Sequence, residues 1–241
     1  MLQDSLKTLA ETFSLGGYGP ILVQGTWMTV KLSLASLLLS VLLGLLGASA
    51  KLSRNRLLRI PATIYTTLIR GIPDLVLMLL IFYSLQTWLA DLTDYMEWDY
   101  IEIDPFSAGI ITLGFIYGAY FTETFRGAIL AVPRGQLEAA SAYGLSRAQR
   151  FRFVLFPQMM RFALPGLGNN WMVLIKATAL VSIIGLSDVV RAAQDAGKSS
   201  YRLFFFLIVA ALVYLAFTSL SNLVLNALER RFAIGVREAL R

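Results

Sequence analysis

Five long apolar stretches, four of them without a single charged side chain, decide what this chain can fold into. They run over Leu32–Ala50, Leu75–Ala90, Pro105–Thr122, Ala163–Ser187 (broken only by Lys176) and Leu203–Leu228. Slightly extended, each reaches the roughly 20 residues that a helix needs to cross the hydrocarbon of a bilayer. The expected fold is all-α, a polytopic membrane protein with about five transmembrane helices. Composition agrees, with 15% charged residues and a mean hydropathy of +0.66, against roughly 25% charged in a soluble domain. The 241 residues include no cysteine and no histidine. That removes disulfides, the usual metal ligands and the usual neutral-pH general base. No catalytic residue and no metal site is expected, and a membrane enzyme is disfavoured.

The formal net charge is +6, yet its distribution points to membrane orientation and not to nucleic acid. Lys51, Arg54, Arg56 and Arg59 follow the first span, Arg134, Arg147, Arg150, Arg152 and Arg161 precede the fourth, and Arg230, Arg231, Arg237 and Arg241 follow the fifth. Between the second and third spans lie Asp91, Asp94, Glu97, Asp99, Glu102 and Asp104, without Lys or Arg. Basic loops stay in the cytoplasm, which predicts an external N-terminus and an internal C-terminus. Residues 1–20 lack a basic n-region and cleavage site and are expected as an external segment lying on the membrane. Residues 21–228 form the transmembrane domain, with a cytoplasmic loop over 134–161, and 229–241 form a cytoplasmic tail.

Several charged groups fall inside the spans, where ionisable side chains are costly and normally face water, protein or one another. Lys31, about two turns into span one, either snorkels to the outer interface or lies near a solute path. Span two, expected over 57–90, is interrupted at Arg70-Gly71-Ile72-Pro73-Asp74, because proline disfavours a helical residue before it. Arg70 and Asp74, spaced i,i+4, pair if the turn survives; the alternative has Asp74 facing a solute. On span three Leu113, Ile116, Tyr120, Glu123 and Gly127 share a face, and Glu123 either pairs with Arg126 or faces a solute. Lys176 lies too deep in span four to snorkel easily. Gly44 and Gly47 in span one, and the glycines of span three, predict close helix packing. Asp188–Arg202 reads as a polar external connection, and Pro157 with Pro165-Gly166 as an irregular entry to span four.

The segment Gln136–Pro157, QLEAASAYGLSRAQRFRFVLFP, is the polar island of the chain. It reads as two short helices joined at Gly144, the second opened by a capping box at Ser146-Arg147-Ala148-Gln149. Two readings stand: an amphipathic helix on the membrane surface, or an element presented to a soluble partner.

Glu138-Ala139-Ala140, then Gly144, then Leu155-Phe156-Pro157 resembles the EAA loop of ABC importer permeases. TTLIRGIPDLVLMLLIFY, GIITLGFIYGAYFTETFRGAILAVPRGQLEAA and LIKATALVSIIGL extend the likeness to the polar-amino-acid permease family. Within it they look like the Q-type subunits of histidine/lysine/arginine/ornithine importers and their opine-importing relatives. The chain departs from the commoner family pattern at Asp74, Ala177 and Ala179. The resemblance implies a transport subunit of the bacterial inner membrane, with a periplasmic N-terminus and a cytoplasmic C-terminus. Its partners are a second permease, two copies of an ATP-binding subunit that carry ATP and Mg, and a periplasmic solute-binding protein. Glu138, Ala139, Ala140 and Gly144 form the ATPase-docking core, and no cofactor belongs to this chain. A G-x-x-x-x-G-K-[ST] phosphate loop is missing from the sequence, so ATP hydrolysis is expected elsewhere. For a basic amino acid, Glu123 is the expected cation contact with Asp74 as a weaker candidate, and Lys176 receives the carboxylate or neutralises Glu123. The competing class is a solitary ion-coupled carrier, which five spans without visible paired halves make less natural.

Overall fold

The computed structural model describes residues 15–99, 101 and 103–232. The expected N-terminal segment up to residue 14, Glu102, Arg237 and Arg241 therefore lie outside the described residues. Among these residues the regular structure is helical, and five helical stretches are long and apolar enough to cross a membrane.

Helix α1 spans Gly19–Leu52 and opens on Pro20 in its first turn, where a missing N–H costs nothing. Its buried side is a stripe of small residues, including Gly25, Thr29, Ser33, Ser36, Ser40, Gly44 and Ala48. Most of this stripe packs along α4, Pro105–Ala131, the central helix of the bundle, while Gly25 and Thr29 at its start meet residues 188–192. A Cβ on Gly44 would lie 2.6 Å from that of Phe121, and one on Gly118 would lie 2.9 Å from that of Leu43. Of the glycines expected to allow close approach, Gly44, Gly47, Gly114 and Gly118 sit at this seam, where a larger residue would force the helices apart, whereas Gly127 is exposed with nothing within 4 Å of a Cβ.

Between them, the proline break divides the expected second span completely. Helix α2, Arg56–Gly71, is capped by Asn55 and ends where Ile72 turns extended (φ −113°, ψ 141°) before Pro73. Helix α3 then starts afresh at Asp74 and runs to Tyr95. Only α3 crosses as a span; α2 is short and amphipathic, burying Thr66 and Ile69.

After α4 come α5, Arg134–Ala142, and α6, Arg147–Arg150; a π-helical turn at Phe151–Leu155 then leads into α7, Phe156–Ala177. The irregular entry expected at Pro157 and Pro165 is smoother than the sequence implies. Pro157 sits in the first turn of α7 and Pro165 inside it, without ending the helix. A 3-10 stretch, Thr178–Ile184, carries the span on to Gly185, whose φ of +101° closes it.

The polar connection Asp188–Arg202 is mostly helical. Helix α8, Val189–Ser199, fills most of it and buries Val189, Ala192, Ala193, Ala196 and Gly197 against α1 and α9, Leu203–Phe232. Its apolar face is built from alanine and glycine, which carry too little hydropathy to stand out from the polar residues between them. Asp188 caps α8 by accepting from the Arg191 amide at 2.9 Å, and is itself fully buried. Its Oδ2 has no hydrogen-bond partner among the described residues. Burial pushes this carboxyl up from 3.8 to about 6.

Candidate functional site

Two polar clusters and one exposed hairpin are what the bundle positions. The first cluster forms around the break before α3. Asp74 opens α3, where the exposed amides of a helix N-terminus favour a negative charge. It accepts a hydrogen bond at 2.8 Å from the hydroxyl of Tyr117, a side chain only 2% exposed. The Tyr117 ring stacks on Tyr120 (centroids 5.6 Å apart, planes at 29°), and the Arg70 guanidinium lies 5.5 Å from the Tyr120 ring centre. Arg70 and Asp74 thus engage different partners across the helix break, in place of the local i,i+4 pair. The cluster gathers one cation, one anion and two phenols from α2, α3 and α4. Sequence reasoning named Asp74, Tyr120 and Arg70 but missed Tyr117, one turn before Tyr120 on the same helix.

The second cluster lies further along α4. Glu123 pairs with Lys51 of α1 and accepts from Arg126 Nε at 3.0 Å and its terminal nitrogen at 2.8 Å. Lys51 also donates to Thr66 Oγ1 of α2 at 2.8 Å. Through Lys51 this ion pair ties α1, α2 and α4 together, with Lys51 and Glu123 exposed by only 13% and 17%. The Arg126 partner follows from i,i+3 spacing. Lys51, 72 residues away in sequence, had read as a membrane-orienting charge only.

The remaining candidates are dispersed. Lys176 is exposed in the last turn of α7, with no ion pair or hydrogen bond among the described residues. Lys31 is exposed on α1, with its ammonium 5.8 Å from the Phe106 ring centre. A neutral pair that sequence reasoning passed over, Asn170 donating to Thr124 at 3.0 Å, links α7 to α4 beside Glu123.

The hairpin α5–α6 is held by its own polar groups. Gly144 takes φ +77°; its amide bonds the Ser141 carbonyl at 3.0 Å, while that of Leu145 bonds Ala140 at 3.1 Å. This is a Schellman turn, and glycine suits its left-handed position. The capping box forms as the spacing predicts, with Gln149 N to Ser146 Oγ at 3.3 Å and Ser146 N to Gln149 Oε1 at 2.9 Å. Arg150 reaches back to the Ser141 hydroxyl. Glu138, Ala139 and Gly144 are exposed and Tyr143 is 86% exposed, whereas Ala140 is buried (7%).

Residues 40–234 match the family model described as "Binding-protein-dependent transport system inner membrane component". The chain is 59% identical to the histidine/lysine/arginine/ornithine transport system permease protein HisQ of Salmonella typhimurium over 225 residues, 93% of this chain and 99% of that one. It is 40% identical to the nopaline transport system permease protein NocQ of Agrobacterium fabrum, over 92% and 94% of the two chains. A crystal structure of an amino acid ABC transporter with histidines superposes with a TM-score of 0.75 at 35% identity, covering 89% of this chain and 95% of that one.

Proposed function

The chain belongs to the family of binding-protein-dependent transport system inner membrane components, and from that premise we propose that it is the permease subunit of an ATP-driven importer of basic amino acids. The observation that carries the substrate class is the 59% identity, over nearly the whole chain, to a permease named for histidine, lysine, arginine and ornithine. Opines are the second reading, favoured by the 40% identity to the nopaline permease.

In this reading the basic loops face the cytoplasm and the N-terminus faces the periplasm. A second permease completes the pathway, a binding protein delivers solute outside, and two ATP-binding subunits hold ATP and Mg inside. The hairpin is the joint. Glu138, Ala139 and Gly144 meet the ATP-binding subunit while the buried Ala140 keeps the turn in shape, so closure of that subunit drags α4 and α7 with it. The cluster around Asp74 complements a cationic amino acid at both ends. Asp74 attracts the side-chain cation, and Arg70 over Tyr120 attracts the carboxylate. Glu123 is the poorer cation contact, since Lys51 and Arg126 already occupy it. Lys176, exposed and unengaged, is a second carboxylate contact.

The test is purification through a tag on this chain, followed by reconstitution. An ATP-binding subunit is expected to copurify, and uptake of arginine, lysine, histidine or ornithine is expected to require ATP. Uptake driven by an ion gradient alone would overturn the proposal, and preference for nopaline would move the substrate class. Glu138→Lys is expected to uncouple hydrolysis from uptake by tenfold or more; unchanged coupling would remove the hairpin from its role.

A further inference from the structure

A groove of about 440 Å³ opens on the outside of the bundle between α1, α7 and α9. Its lining is apolar, with Leu34, Leu164, Trp171, Phe217, Val224 and Leu228 among the side chains that face it. From Phe217 to Leu228 it follows eleven steps of α9, roughly 16 Å at 1.5 Å per residue. That is about half of the roughly 30 Å hydrocarbon thickness, the depth of one leaflet.

The ends of the groove differ in charge. Leu225 touches Gly168, where a Cβ would lie 3.2 Å from its Cδ1, so the antiparallel helices α7 and α9 are in register there. Arg161 lies seven residues before Gly168 and Arg231 six after Leu225, so both stand roughly 9–10 Å beyond that contact, at one height. Each shares a helix face with groove residues, Arg161 with Leu164, and Arg231 with Val224 and Leu228. Both are exposed, and neither makes an ion pair among the described residues. Arg230 adds a third positive charge and Glu229 a single negative one.

We propose that this groove binds one acyl chain of an anionic phospholipid, with Arg161 and Arg231 holding the phosphate. Guanidinium forks match phosphate oxygens in pairs, and a net positive rim prefers a headgroup without a cation of its own. The charge at one end and the apolar lining beyond it match the headgroup and the acyl chain of one lipid. The inference needs only that the chain spans a membrane, and is independent of the solute carried.

The assembled importer, stripped of lipid in detergent, is titrated with phosphatidylglycerol or phosphatidylcholine of identical acyl chains, and retained lipid is counted by native mass spectrometry. At least fivefold stronger retention of phosphatidylglycerol is expected. R161A/R231A is expected to abolish that preference, and Val224→Trp, which fills the groove while leaving both arginines, to lower retention of both lipids. Equal retention of the two lipids by the unaltered importer, or a preference unchanged in R161A/R231A, would overturn the proposal. So would Val224→Cys crosslinking to the second permease in preference to a photoactivatable acyl chain.

Discussion

Asp74 and Glu123 are both carboxylates of the bundle interior, yet their surroundings differ in kind. Glu123 is saturated, with Lys51 on one oxygen and Arg126 on the other. Asp74 has a phenol for a partner and a helix N-terminus behind it. A carboxylate that already holds two cations closes its own charge balance and joins helices; one that meets only neutral donors keeps attraction to spare for a mobile cation. Depth in a span identifies a costly charge, but its partners decide what it is for.

The most direct way to break this contrast is to remove each acid. Glu123→Ala leaves Lys51 and Arg126 without their counter-ion and is expected to cost about 3 kcal/mol, near the lower end for breaking a buried pair because the site is partly solvated. Denaturant unfolding of the purified importer would measure it, with Asp74→Ala within about 1 kcal/mol of the parent. Equal losses would erase the distinction.

A third carboxylate extends the series to one that is fully buried. Asp188 accepts the Arg191 amide but leaves Oδ2 without a partner among the described residues, and its folded pKa is raised to about 6. The folded chain then keeps a proton between about pH 4 and 6 that the unfolded chain has released. Stability rises as pH falls through that window, and above pH 6 the buried charge is a standing cost. Asp188→Asn retains the cap and deletes the charge. It is expected to stabilise the chain by about 2 kcal/mol at pH 7.5, a gain that fades toward pH 4 in melting experiments. A gain that persists at pH 4 would contradict the assignment.

Transport separates the first two acids again. Asp74→Asn is expected to lower uptake of arginine by tenfold or more, about 1.4 kcal/mol, whereas Glu123→Gln lowers it only as far as folded protein is lost. Tyr117→Phe is the mildest change. Losing one hydrogen bond to a charge costs about 1 kcal/mol, read as a severalfold rise in the KM of the reconstituted importer.

Much of this was legible along the chain. The apolar stretches located the spans, Pro73 located the break, and Ser146 with Gln149 located the cap, because each depends on residues within a few positions. What escaped detection depends on distance. Tyr117 finds Asp74 across 43 residues, and Lys51 finds Glu123 only once α1 lies along α4. Helix α8 escaped for another reason, since alanines and glycine bury well but read as neutral between polar neighbours. That Ala140 is buried while Glu138 and Ala139 are exposed could not be read from the motif, which names positions without saying which face of a nine-residue helix is covered.

The seam between α1 and α4 carries a mechanical consequence. Thr122 sits against Gly47, Phe121 against Gly44, Leu43 against Gly118 and Leu39 against Gly114. Along the first half of the seam α1 supplies the teeth and α4 the notches, and along the second half the roles reverse, so neither sliding nor rolling is open to this pair without lifting the helices apart. The two therefore share one set of degrees of freedom, and any rearrangement of the bundle must be taken up at its other contacts.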